Sequence, residues 1–318
     1  MILTVTLNAA IDRTVAVPNF RLGHRHRAVE SRTVAGGKGI NVARALRLLG
    51  RPVIATGFAG GPTGNRVLEQ LRKEAILTDF TWIAGETRIN MAVIDPTSGE
   101  QTEINERGPA VSPEEVERFV ERLGYLAGGA KICVLAGTLP PGAGEDLYAR
   151  LVERLRECGV VTILDSEGEA MLAGLRAGAS VVTPNETEAE ELVGQEFTDG
   201  DDLVHALSEL MRLGAGEAAI TRPDGCVAAI GEGAERRVVE VRIRALDPVS
   251  TVGSGDAFLA GYTAARYDER EPEECLVYGV ASGAESTQHF GAGTVDRNAV
   301  EHLLDEVEVR DLEVHAEV

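Results

Sequence analysis

The sequence predicts an α/β protein built on one mostly parallel sheet with helices on both faces, together with a small β-sheet lid. Three observations predict it. Short strand-like runs alternate with segments of helical period along most of the chain. Two stretches, 12–33 and 86–107, break that rhythm with strand-like alternation and turn signals such as Pro18-Asn19, Asp95-Pro96 and Ser98-Gly99, and these are the expected lid. The 318 residues, 44% of them hydrophobic, can bury one large core and contain no linker or internal repeat, so residues 1–318 are expected to form one domain carrying that lid.

In chain order, residues 1–7 alternate and read as a strand. Residues 41–49 set Val42, Ala45, Leu46 and Leu49 on one helical face and stop at Gly50. A strand at 53–58 is followed by a helix through Val67, Leu68 and Leu71. Ser112-Pro-Glu-Glu115 has the form of a capping box, opening a helix with Val116, Phe119, Val120 and Leu123 inward. Next come a strand at 131–136, a helix at 146–158 and strands at 160–165 and 180–183. Helices at 186–193 and 203–213 and a strand at 218–221 complete the repeating part. Such a sheet binds ligands at the carboxyl ends of its strands.

No apolar run approaches the roughly 20 residues that span a bilayer, and residues 1–7 lack a basic segment and a small-residue cleavage site, so a cytoplasmic protein is expected. The net charge of −20 repels nucleic acid and anionic membranes, and neither is expected as a partner. An anionic substrate must then be met by a local group of cations. Cys133, Cys158, Cys226 and Cys275 are scattered with no C-x-x-C pair, and the histidines have no metal-ligand spacing.

The most informative segment is Ser250-Thr-Val-Gly-Ser-Gly-Asp-Ala-Phe258, followed by a helical run over 259–266. Gly253, Ser254 and Gly255 turn the chain into a helix N-terminus, whose free N–H groups and dipole attract an anion. Asp256 falls in the first turn beside that anion. Phosphoryl transfer needs this pairing: amides for the charge on the equatorial oxygens, and a carboxylate for the hydroxyl proton. On spacing alone, a glycine turn with an aspartate favoured by the helix dipole reads equally well. The spacing is not that of a dinucleotide fingerprint, and Gly36-Gly37-Lys38-Gly39 lacks the frame of a P-loop.

Val252-Gly-Ser-Gly-Asp256 resembles the second signature of the ribokinase-like PfkB sugar kinases, and Ala35-Gly-Gly-Lys-Gly-Ile-Asn-Val-Ala43 resembles the first. The two lie about 215 positions apart in the family's order, and the resemblance runs to about residue 294. Thr6-Leu-Asn-Ala-Ala-Ile-Asp12, Gly39-Ile-Asn41, Gly85-Glu-Thr-Arg-Ile-Asn90 and Gly137-Thr-Leu-Pro140 are similar to the branch acting on phosphorylated ketohexoses, which holds 1-phosphofructokinases, tagatose-6-phosphate kinases and minor 6-phosphofructokinases. The resemblance implies a ribokinase-like three-layer sandwich with a β lid, ATP as donor, Mg²⁺, and a homodimer through the lids. It implies Asp256 as catalytic base and Gly253, Ser254 and Gly255 as anion hole.

For the sugar it implies Asp12, Gly37, Asn41 and Asn90, with Lys38, Arg88 and Arg27 as cations for a phosphate. For the nucleotide it implies Asn185, Thr221, Gly225, Gly253 and Gly255, and for the waters around the metal Glu188 and Asp165. Read alone, Asn185 and Glu188 are equally an N-cap and a first-turn acid, and Arg27 equally a solvated lid charge. Three departures stand out. Ala9 replaces the family's usual proline after Asn8, Thr221-Arg-Pro-Asp-Gly225 stands where a longer Ser-x-Gly-x-x-Gly nucleotide loop is usual, and Thr183 stands where many relatives in this branch carry a lysine that contacts the nucleotide. The expected reaction is phosphorylation of fructose 1-phosphate, with tagatose 6-phosphate and then fructose 6-phosphate as alternatives. A sugar-phosphate sensor that has lost catalysis is the reading from another class.

Overall fold

Ile2–Thr6 is a five-residue run in which every side chain is buried, and a strand buried on both faces must have a layer on each side. The computed structural model describes residues 1–231, 233, 236–244 and 246–312 and shows those layers. The chain begins β1 (Ile2–Thr6), β2 (Ala10–Ala16), β3 (Glu30–Gly36), α1 (Lys38–Leu48), β4 (Val53–Ala59), α2 (Gly61–Lys73), β5 (Leu77–Trp82), β6 (Arg88–Ile94) and β7 (Gln101–Ile104). It continues α3 (Pro113–Ala127), β8 (Ile132–Ala136), α4 (Leu147–Glu157), β9 (Val161–Asp165), α5 (Gly168–Arg176), β10 (Val181–Val182), α6 (Glu186–Val193), α7 (Gly200–Leu213) and β11 (Glu217–Arg222). The remainder is β12 (Gly225–Ile230), β13 (Arg237–Ile243), α8 (Ser254–Tyr267), α9 (Pro272–Ser286), α10 (Arg297–Leu303) and β14 (Val307–Leu312).

The main sheet has ten strands in the order β14-β13-β12-β11-β10-β9-β8-β1-β4-β5. From β5 to β11 neighbouring strands are parallel, and β12, β13 and β14 extend the sheet antiparallel. One core cluster joins the sheet to α1, α2, α8, α9 and α10 through residues such as Ile40, Val67, Phe258, Leu276 and Val300. A second, on the opposite face, joins it to α3, α4, α5 and α7 through Phe119, Leu151, Met171 and Leu207. This is the ribokinase-like three-layer sandwich. Complete burial of a leucine such as Leu123 contributes about 1.5–3 kcal/mol.

Ser112 and Glu115 form the expected reciprocal cap at the start of α3, with Val116, Phe119 and Leu123 buried and Val120 only half-buried. The strand expected at 180–183 shrinks to two residues, and the helix expected from 203 begins at Gly200, capped by Asp199. The sequence reading lacked β5, α5, α9, α10 and the antiparallel strands after β11. The short 221–225 segment is a tight hairpin: Arg222 pairs with Gly225, leaving Pro223 and Asp224 as the turn.

The stretches that break the βα rhythm supply a second, four-stranded sheet in the order β3-β2-β6-β7. Two hairpins, β2–β3 and β6–β7, are antiparallel, while β2 and β6 pair parallel across them. Among the described residues no helix is long and apolar enough to cross a membrane. Cys133, Cys226 and Cys275 are buried free thiols, and Cys158 is exposed.

Candidate active site

The small sheet meets the carboxyl end of the large one where β1 passes through Leu7, Asn8 and Ala9 into β2. Strand register decides what gathers there. β2 and β6 pair Asp12 with Asn90 and Ala10 with Arg88, and alternation puts all four on one face. Asn90 Nδ2 donates to Asp12 Oδ1 at 2.9 Å. The Asp12 carboxylate lies over Gly36, where a Cβ would come within 1.8 Å of Oδ2, so a bare backbone is required there. Burial raises the Asp12 pKa, against the opposing pull of the Asn90 donor and the Arg88 charge. Arg88 donates through Nε and Nη2 to the Asn8 carbonyl (3.2 and 3.0 Å) and through Nη1 to the Glu106 carbonyl (2.8 Å), keeping one N–H on each Nη. The side-chain oxygens of Asn8 and Asn90 are buried with no partner among the described residues, a costly state unless a ligand or water completes them.

Two helix N-termini open onto the same place without side-chain caps: α1 after Gly37 (φ 113°) and α8 after Gly253 (φ 84°). The N–H groups of Gly255 and Asp256 find no acceptor among the described residues. A Cβ on Gly255 would meet nothing within 4 Å, so the space before those amides is open. Asp256, 8% exposed, accepts a hydrogen bond from Asn41 Nδ2 at 2.8 Å. That contact joins the two glycine motifs across 215 residues of chain. Burial, then the charge of Asp165, pushes Asp256 up to about 7, while Asn41 and Lys38 pull it down. A carboxyl group poised there can both accept and release a proton near neutral pH.

From Asp256 a cleft of about 790 Å³ runs past Gly253, Gly255, Asn185, Thr221 and Gly225, with Ile243, Phe258 and Val280 as an apolar wall. Lys38 stands on this side, not with Asp12 and Asn90, because two carboxylates hold it: Nζ lies 3.0 Å from Asp165 Oδ1 and 3.5 Å from Glu188 Oε1. Burial would lower its pKa, but Asp165 and Glu188 outweigh that and raise it. Glu188 is also raised by burial, against Lys38. Asn185 and Glu188 form the N-cap and capping box of α6, at 2.9 and 3.0 Å, and both also line the cleft. No cluster of three or more His, Cys, Asp or Glu able to hold a metal occurs among the described residues. Two carboxylates shared with a lysine suit a hydrated cation carried by phosphates, and they do not suit a cage made of protein alone.

Asp12, Gly37, Asn41, Arg88, Asn90 and Asp256 therefore converge, with Lys38, Asp165, Glu188, Asn185, Thr221 and Gly225 along the adjoining cleft. Arg27 does not join them. It is exposed in the β2–β3 loop, beyond the Ala16–Glu30 pair and so at the far end of the small sheet from Asp12. Gly36 and Arg44 carry no signal in the sequence that marks them as part of the site, whereas Thr183 stands out as a departure from the family pattern. Thr183 lines the cleft with a buried Oγ1 that has no partner among the described residues, and Arg44 follows Asn41 by three positions, the helical spacing that makes side chains meet.

An uncapped helix N-terminus, a buried proton acceptor and a long cleft at the strand ends make up the outline of a phosphotransferase. The model of the pfkB family of carbohydrate kinases matches residues 3–298, and the chain belongs to that family. It is 32% identical over 321 residues to a tagatose-6-phosphate kinase of Staphylococcus epidermidis, covering 97% of this chain and 99% of the relative. It is 33% identical over 313 residues to the 1-phosphofructokinase of Bacillus subtilis, covering 98% and 100%. The crystal structure of phosphofructokinase-2 from Escherichia coli in complex with substrates and products superposes with a TM-score of 0.88 at 30% identity, over 96% of this chain and 98% of the other.

Proposed function

We propose that this chain transfers the γ-phosphoryl group of ATP to a phosphorylated ketohexose in the cytoplasm, converting fructose 1-phosphate to fructose 1,6-bisphosphate. The observation that carries the reading is the Asn41–Asp256 hydrogen bond, which supports Asp256 as a proton acceptor beside two backbone amides with no acceptor among the described residues. Asp12 and Asn90 would orient the sugar hydroxyls, and Arg88 would present its two remaining N–H groups to the sugar's phosphate. Asp256 would take the proton of the C6 hydroxyl as that oxygen bonds to the γ-phosphorus and the bond to the β,γ-bridging oxygen breaks, releasing ADP. The Gly255 and Asp256 amides would hold the charge on the transferring group. Lys38 lines the same cleft and would shift from its two carboxylates to the phosphates. Asp165 and Glu188 would hold waters of a Mg²⁺ ion bound to the nucleotide, which supplies charge neutralisation when present. The small sheet would act as a lid that keeps water from the γ-phosphate, and its exposed Leu22, Val29 and Ile104 would pair lid to lid in a homodimer.

Tagatose 6-phosphate is the second reading, favoured by the relative of that name at similar identity; fructose 6-phosphate is the third. ADP release measured against all three sugar phosphates separates them. The highest kcat/KM is expected on fructose 1-phosphate. A higher value on either of the others moves the assignment to that sugar, and binding of a sugar phosphate without any ADP release makes the protein a sensor.

A further inference from the structure

Behind Asp256 lies a guanidinium whose hydrogen-bonding capacity is completely used. Arg44 Nε donates to Glu74 Oε2 at 2.7 Å and Nη2 to Glu74 Oε1 at 3.3 Å. The other Nη2 hydrogen goes to the Ala35 carbonyl at 2.8 Å. Nη1 divides between the Asn41 side-chain oxygen and the Ala292 carbonyl, each at 3.2 Å. Five donors meet five acceptors, which only the planar fork of arginine can do. The acceptors come from four places. Ala35 is the root of β3, one residue before the glycine that underlies Asp12; Asn41 lies on α1; Glu74 caps α2; and Ala292 packs against Gly253, whose added Cβ would fall 2.5 Å from it.

The contact to Asn41 sets the chemistry. An amide side chain can present either its oxygen or its nitrogen. With an arginine N–H fixed on Oδ1, the NH₂ must face Asp256, and it does so at 2.8 Å. A donor on that carboxylate favours its ionised form, the form that accepts a proton. Arg44 itself touches neither the cleft's ligand space nor Asp256.

We propose that Arg44 is the positioning residue of the phosphoryl-transfer site: it locks the Asn41 amide as a donor to Asp256 and ties that base to the root of the small sheet and to the loop behind the anion hole. This rests on the proposed role of Asp256 as base.

The test compares Arg44→Met and Arg44→Lys with Asp268→Asn and Asp256→Asn in the full-length protein. Lysine keeps the charge but has only three donors on a tetrahedral head, so both Arg44 variants are expected to lose about 10²-fold in kcat, the scale set by misplacing a reacting group by an ångström. The KM for ATP is expected to stay nearly unchanged in both Arg44 variants, and the sugar KM to stay nearly unchanged in Arg44→Lys, which keeps the charge that Arg44 exerts on Asp12. The groups facing Asp256 are Asp165 from β9, Lys38 and Asn41 from α1, and Asp12 from β2. With the Asn41 donor no longer fixed, the acid limb of kcat/KM is expected to move to higher pH. Asp268→Asn removes the Arg51–Asp268 ion pair, which joins the far ends of α1 and α8; it is expected to lower the melting temperature as the Arg44 variants do while leaving kcat and the acid limb unchanged. Wild-type kcat in either Arg44 variant, or a loss shared by kcat, both KM values and Asp268→Asn, overturns the proposal. Full activity in Asp256→Asn instead removes the base on which it rests. If Arg44→Met does not fold, Arg44→Lys decides alone.

Discussion

The two ends of the cleft are built from different materials. At the phosphoryl end the binding groups are backbone: the uncapped N–H groups of Gly255 and Asp256, held by a glycine turn before α8. At the sugar end they are side chains already bonded to one another, Asn90 to Asp12 and Arg88 to the carbonyls of Asn8 and Glu106. Backbone donors cannot turn away and lose no side-chain entropy on binding, which suits charge that develops only during reaction. Paired side chains are held in place before the substrate arrives but must share their hydrogen bonds with it, which suits recognition of a particular arrangement of hydroxyls and phosphate.

Four measurements can break or sharpen that contrast. Replacing Asp256 with Asn should have the largest effect, lowering kcat by about 10²–10⁴ with the fold and sugar binding retained; near-native turnover would take the base away from this end. Gly255→Ala places a methyl group in the open space before the free amides, and a loss on the order of 10²-fold in kcat/KM for ATP is expected, as for removal of one oxyanion donor. An unchanged value would mean that no phosphate visits those amides. Arg88→Ala should raise the sugar KM by roughly 10–100-fold, the worth of a charged hydrogen bond, with little change for ATP; equal changes in both would dissolve the distinction between the ends. Smallest is the pH effect. Asp256, raised to about 7, must be ionised to act, so kcat/KM should be level above that pH and fall as pH drops through it, by about tenfold at one unit below. A flat profile down to pH 5 would show a base of ordinary acidity.

The same difference explains what could be read beforehand. Backbone sites need glycines at fixed offsets, and Gly37, Gly253 and Gly255 are visible in the string of letters, as is the βα rhythm that sets their helices against the sheet. The Asp12–Asn90 contact depends on a parallel register between strands 78 residues apart, which no local pattern records. The sequence sets Lys38 among the cations for the sugar's phosphate, yet its ammonium is held by Asp165 and Glu188, and only the fold reveals that those carboxylates lie beside it. β12 offers no alternation to read, because Cys226-Val-Ala-Ala-Ile230 is apolar throughout. Charge was legible in one respect only: at −20 overall, any anion site had to rest on few cations, and among those nominated Arg88 is the one found at the sugar end.

The parallel pairing of β2 with β6 has a mechanical consequence. The chain crosses between the two sheets four times, at 7–9, at 36–37, at 83–87 and at 105–112, and the strands it enters are stitched into one fabric. A single hairpin could flap like a ribbon on one stalk. This panel, hung from four points, can only swing as a plate, so Asp12, Arg88 and Asn90 must travel together and any opening must be shared by all four stalks.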